Sequence, residues 1–364
     1  MQCRTIEANL DSLGITPRIH RQELLRYVHR PTLHRLEYEP CDLDETGISS
    51  RALAYLLEIA RSQRFQIELN NDGSIPRRPE SAQIVTKPAS RTRLDDHLVK
   101  FFNKSIHIYE QLGPWAADYF ILESIAALEA LSDRDSDMFL GARNGDKESL
   151  LRILKRGLLS IMLKTRSLEG PYPISHKVKQ LLTFLGNQDC NNCSGLLFVR
   201  QRATVSVLCT LLSLHPDTKA RFQCATFVGM SNSGSKKYCM AEILDLKAQR
   251  ETLVEFRARK KNLIVATDVL EEGIDVAACN LVVCFDPPPN VKSFIQRRGR
   301  ARQEKSDFAL LFPKDEGYSK IEKWKTLEAS LIQAYQNELR QIREAAESEE
   351  DAEVVPGSLQ TKSG

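Results

Sequence analysis

The sequence predicts an α/β protein built on a parallel sheet, with a helical bundle inserted ahead of the sheet and a helical arm behind it. Three observations carry this. Short apolar runs at 195–199, 224–228, 263–266, 281–285 and 308–312 alternate with helix-like stretches, the pattern of parallel strands joined by right-handed crossovers. The runs do not alternate apolar with polar, as expected of strands covered on both faces. Residues 94–168 have helical periodicity instead, and a single long helical stripe follows the last strand.

Taken in order, residues 1–40 are polar, broken by Pro17, Pro31 and Pro40, and read as a connector lying on the surface. Residues 41–168 are expected to form the helical insertion. Leu53, Leu56, Leu57 and Ile59 fit one helix; Ile121, Leu122, Ile125 and Leu128 form a stripe on another; Leu150, Leu151, Leu154, Leu158 and Ile161 form a third. A loop near 71–93, rich in Pro, Ser, Asn and basic residues, is expected to stay flexible. The α/β unit covers 169–316 and opens with an amphipathic helix carrying Val178, Leu181, Leu182 and Leu185. The arm covers 317–346, with Trp324, Leu327, Leu331, Tyr335 and Leu339 at helical spacing. From 347 to 364 the chain is acidic, then small and polar, a composition that predicts disorder.

The 42% hydrophobic and 27% charged residues describe an ordinary globular chain, and a net charge of +3 says less than where the arginines cluster. No apolar run reaches transmembrane length and Met1 opens no signal peptide, so the expectation is a cytoplasmic or nuclear protein without a membrane partner. Nine cysteines at irregular spacing fit reduced thiols. Cys190 and Cys193 make a CxxC with no second pair, read as a loop feature, and no metal site is expected.

The stretch 262–302 organises the rest. Its two apolar runs end in the loops TDVLEEGID and DPPPN, which face the carboxyl edge of the sheet, where α/β proteins bind ligands. The second loop leads into a helix with Gln296, Arg297, Arg298, Arg300 and Arg302. Guanidinium forks packed this densely suit phosphate oxygens, because they bind them in pairs and never lose charge.

ATDVLEEGID followed by QRRGRAR resembles motifs V and VI of superfamily 2 helicases, in the form found in the RIG-I-like and Dicer group. LGPWAADYF, at 112–120, is similar to a string in the helical insertion of Dicer helicases, and the opening segment resembles the fungal Dicer-like connector between lobes. The resemblance implies a RecA-like helicase C-terminal lobe, the second of two. It implies that Arg300 and Arg302 act as arginine fingers on ATP, with Gln296 fixing them across the cleft. It places Gly273 and Asp275, which end motif V, against nucleotide. Thr267, with a hydroxyl and a strand-end amide aimed outward, would meet an RNA phosphate, as would Gly229, Ser231, Arg200 and Arg202. For Gly229, Ser231, Arg200 and Arg202 a plain loop role is an open alternative, and Arg297 and Arg298 read equally as solvated or RNA-binding.

No GxxxxGK[ST] phosphate loop occurs; GSKKY at Gly234 lacks the spacing. No DExH box follows an apolar strand, and no paired acidic ribonuclease III signature is present. ATP and Mg2+ are therefore expected only together with a first RecA-like lobe, in cis or in trans, and the chain reads as a partial double-stranded-RNA helicase of RNA silencing, inactive alone. A truncated gene product or partial gene model is the expected origin. The alternative is a non-catalytic RNA-binding or protein-interaction fragment; a DNA-directed helicase is a third reading, opposed by LGPWAADYF and the bundle.

Overall fold

The computed structural model describes residues 29–41, 49–62, 65–67, 84–86, 93–130, 146–155, 173–189, 192–228, 250–271, 276, 278–314 and 316–353. Among these, β1 (Thr32–Tyr38), β4 (Gly195–Phe198), β5 (Cys224–Phe227), β6 (Leu263–Ala266), β7 (Leu281–Cys284) and β8 (Asp307–Pro313) form one sheet, and β2 (Phe65–Ile67) pairs antiparallel with β3 (Ile84–Thr86). The six-stranded order is β1-β8-β7-β4-β6-β5, with every neighbouring pair parallel. The α/β expectation is met, and β4, β6 and β7 are buried at every position, as their unbroken apolar composition requires.

Three strands were not foreseen: β1 in the main sheet, and the β2–β3 pair. The supposed surface connector contributes β1 as an edge strand beside β8. Its Arg35 and Glu37 fit an edge, where polar residues guard the unpaired side. Leu33 packs on one face of the sheet while Leu36 and Tyr38 pack on the other. His34 Nε2 lies 2.6 Å from Asp307 Oδ1, fixing the register. The loop expected near 71–93 likewise contains β3.

Side chains alternate across the central strands. Leu197, Val265, Val283 and Leu311 join a core that continues into the helical insertion, whereas Phe198, Ala266, Cys284 and Phe312 face the opposite layer. Cys279 and Cys284 are fully buried and behave as small apolar groups. The insertion comprises α1 (Arg51–Ser62), α2 (Arg93–Leu112), α3 (Pro114–Ala130) and α4 (Asp146–Lys155). Leu158 and Ile161 lie outside the described residues. Helix α3 carries more than the expected stripe: Trp115, Ala116, Ala117, Phe120 and Leu122 are buried along with Ile121, Ile125 and Leu128, so it runs through the middle of the bundle.

The LGPWAADYF string makes the corner between α2 and α3. Gly113 has φ +100°, and a Cβ there would fall 2.4 Å from the Ser175 amide nitrogen. The close approach lets the corner bond to the segment ahead of α5 (His176–Gly186): the Ser175 N–H donates to Leu112 O at 3.0 Å and Trp115 N–H donates to Pro173 O at 3.0 Å. Trp115 is buried and stacks on Tyr119 with ring centroids 5.3 Å apart.

The remaining helices are α6 (Arg202–Leu214), the short α7 (Pro216–Lys219), α8 (Arg250–Arg257), α9 (Val291–Arg298) and α10 (Gly317–Glu353). Helix α10 continues through 347–353, a stretch the sequence assigned to the disordered tail; its Ala and Glu residues are good helix formers. Ile321 and Trp324 pack inward, Trp324 against Phe294 with centroids 5.2 Å apart. Leu327 and Leu331, farther along the expected stripe, are 41% and 54% exposed. Among the described residues no helix is long and apolar enough to cross a membrane.

Candidate functional site

The loops after β6 and β7 leave the carboxyl edge of the sheet on either side of β4. Asn290 caps α9 by accepting the Ser293 N–H at 2.9 Å, which sets the helix off at the end of the DPPPN loop. After α9 the chain turns, Arg300 N–H donating to Arg297 O at 3.0 Å, and then bridges at Ala301 to Cys279: Cys279 N–H donates to Arg300 O at 3.3 Å and Arg302 N–H donates to Cys279 O at 3.1 Å. Ala301, between Arg300 and Arg302, is buried. Arg300 is half-buried, its Nη2 donating to Glu271 O at 3.0 Å, while Arg302 is exposed with Nε on Gly299 O at 2.7 Å. Gln296 is half-buried one turn earlier on α9. The three residues expected to be catalytic thus lie on one short segment.

Arg297 and Arg298 take a different part from either one expected. Arg297 is 3% exposed; its Nε donates to Glu271 Oε1 at 2.6 Å and its Nη1 to Asp286 O at 3.1 Å, with the guanidinium 4.9 Å from the Phe198 ring centre. Arg298 donates through both Nη atoms to the Glu328 carboxylate on α10 and lies over Phe294. Arg297 is enclosed in the protein, whereas Arg298, 32% exposed, is partly in water while paired to Glu328. Glu271, which the sequence reading passed over, holds α9 at two side-chain points, taking Ser293 Oγ at 2.9 Å as well as Arg297. Its one sequence signal is a carboxylate in the loop facing an arginine-rich helix.

The expected RNA contacts are dispersed. Thr267 is 6% exposed and its N–H donates to Phe227 O at 3.3 Å, so the amide is used inside the sheet rather than aimed outward. Arg200 has an exposed side chain just beyond β4, and Arg202 opens α6. Gly229, Ser231, Gly273 and Asp275 lie outside the described residues. Asp286, also unforeseen, accepts the Arg200 N–H at 2.7 Å on one oxygen and Lys177 Nζ at 2.8 Å on the other. Burial alone would raise its carboxyl, but the Lys177 charge and the Arg200 amide outweigh burial and hold it below the usual carboxylate range.

Residues 176–304, from the start of α5 to just past the arginine pair, match the helicase conserved C-terminal domain. Over 98% of its length the chain is 44% identical to Dicer-like protein 2-1 of Aspergillus niger. This is a Dicer-like helicase C-terminal lobe. The lobe is also 42% identical to Dicer-like protein 2 of Aspergillus terreus over 98% of its length, and it spans only 26% of either relative. A solved DEAD box protein of Methanococcus jannaschii is similar at 23% identity over 42% of the lobe and 36% of that chain, with a TM-score of 0.32. Among the described residues no three His, Cys, Asp or Glu side chains are grouped to hold a metal ion; Cys190 lies outside them.

Proposed function

We propose that this lobe is the second half of an ATP-dependent helicase or translocase that grips double-stranded RNA, in a Dicer-like protein acting in RNA silencing, and that it hydrolyses no ATP by itself. The observation that carries the reading is the anchoring of the arginine pair: Arg300 donates to Glu271 O at 3.0 Å, and the bridge of Ala301 to Cys279, just before β7, fixes the chain between Arg300 and Arg302. Guanidinium groups fixed in advance stabilise charge developing on a phosphoryl group without reorganising at the moment of reaction. Gln296 orients them from α9. The sequence has no phosphate loop and no DExH box, so a first lobe would hold the β-phosphate and Mg2+, and bound ATP would supply the bond to be broken. Arg200 and Arg202 support contacts to RNA phosphates; a duplex would be read by shape, without base contacts.

The test measures ATP hydrolysis by the lobe alone and by the lobe joined to a first lobe, each with and without double-stranded RNA. The lobe alone is expected to be inactive and the joined protein RNA-stimulated. Arg300→Ala or Arg302→Ala should lower turnover about a thousandfold or more while RNA affinity stays near the parent's. Lysine should rescue poorly, lacking the planar fork. Weakened RNA binding with turnover intact at saturating RNA would mark the arginines as a binding patch instead.

A further inference from the structure

Lys177 is the one buried lysine among the described residues, 2% exposed at the start of α5. An ammonium group is costly to bury unless it is paired, and a lysine usually extends to keep its charge in water. Here Nζ lies 2.8 Å from Asp286 Oδ1, donates to Gln111 Oε1, and sits 4.0 Å from the Phe285 ring centre and 5.1 Å from that of Tyr38. These partners come from three parts of the chain: Gln111 from the last turn of α2 in the insertion, Tyr38 from β1, and Phe285 and Asp286 from the end of β7. An apolar side chain of similar volume would serve stability as well or better, since a buried ion pair rarely outperforms good packing. Stability alone does not explain a lysine at this junction.

The contacts continue toward the arginine pair. The main-chain oxygen of Asp286 accepts Arg297 Nη1 at 3.1 Å, Arg297 Nε donates to Glu271 Oε1 at 2.6 Å, and Glu271 O accepts Arg300 Nη2 at 3.0 Å. Gln111, Lys177, Asp286, Arg297, Glu271 and Arg300 therefore form an unbroken polar chain from the insertion to the candidate finger. The second Asp286 oxygen ties in the loop after β4 through the Arg200 amide. The insertion core is continuous with one face of the sheet, so a shift of α2 on that face would act on Gln111 and Lys177 first.

We propose that Lys177 is a positioning residue for phosphoryl transfer, transmitting the seating of the helical insertion to Arg300. The proposal rests on the finger reading given above. A geometric chain becomes a coupling path only when perturbing one end moves the other, so both ends are measured. Lys177→Met keeps the length and strands the Asp286 charge; Lys177→Met with Asp286→Asn removes the stranded charge as well.

In the lobe alone, amide exchange at Cys279, bonded to Arg300 O, and at Arg302, bonded to Cys279 O, should quicken severalfold in both variants while β6 amides keep the parent rate. In the joined two-lobe protein, turnover should fall about tenfold in both variants at unchanged KM for ATP, about 1.4 kcal/mol of transition-state stabilisation. The double variant should regain the parent's melting temperature without regaining its turnover. Recovery of turnover together with stability would make Lys177 a purely structural charge, and parent-like exchange at Cys279 and Arg302 in both variants would also overturn the proposal. An inactive parent two-lobe protein, by contrast, would sink the finger reading and this inference with it.

Discussion

Four arginines stand between 296 and 302, and their surroundings divide them into internal struts and outward groups. The sequence shows the cluster but not the division, because the deciding partners are distant in the chain: Glu271 is 26 residues from Arg297 and Glu328 is 30 from Arg298. Only the docking of α9 between the motif V loop and α10 makes the difference visible. The consequence is measurable by urea unfolding. Arg297→Ala strands a Glu271 side chain that is 10% exposed and should cost about 3–5 kcal/mol. Arg298→Ala opens a pair that is partly in water and should cost about 1 kcal/mol. Equal costs, or the reverse order, would contradict the burial described for the two pairs. Thr267 shows the same limit from the other direction, since a strand-end residue looks outward in a sequence until its neighbour in the sheet is known.

At the scale of elements, legibility followed composition. The central strands were readable because burial on both faces leaves them apolar throughout, and α5 because its apolar residues fall on one side. β1 was not, because its polar residues disguise a strand that half faces solvent. Helix α2 gives a prediction that sequence could not, since two of its titratable side chains are half-buried. Burial pushes His107 down to about 4, against the pull of Asp286, and pushes Glu110 up to about 8. For His107 the folded state resists a proton, so its contribution to stability is complete above about 6.5 and is lost as pH falls toward 4. For Glu110 the folded state keeps a proton the unfolded chain releases, so stability is lost as pH rises from about 4.5 toward 8. Glu110→Gln should therefore raise the melting temperature at pH 8 and change it little at pH 5. A variant no more stable than the parent at pH 8 would show that the carboxyl is ionised in the folded lobe.

For the whole molecule, the fold and the motif positions could be read from the sequence, whereas the links that hold the parts together could not. Lys177 reads as one basic residue in a short amphipathic helix, and its importance depends on three segments that meet only in the folded lobe. On the proposed reading, Arg200 just beyond β4 and Arg202 at the start of α6 would meet RNA phosphates. Binding carried by such phosphate contacts should be weak, indifferent to sequence and sensitive to salt. Each contact should add roughly 0.9 to the slope of log affinity against log salt, if duplex DNA is a guide. Titrating one RNA duplex at several salt concentrations, and a second of different sequence at one of them, checks both properties; a flat salt response or a strong sequence preference would count against the surface.

The edge strand β1 also constrains how the lobe is made. His34 and Asp307 are 273 residues apart, yet their side chains meet across the β1–β8 pair, so the first strand made must wait for a partner made much later. Contacts so distant in the chain slow the final closure of a domain, and unpaired strands are exposed to misassembly meanwhile. The helices of the insertion, all between β1 and the remaining strands of the sheet, can pack by local contacts during that interval. Their early folding would shorten the free chain that separates the two ends. The bundle would then serve translation before it serves any substrate, holding the waiting strand near the place where its partner will arrive.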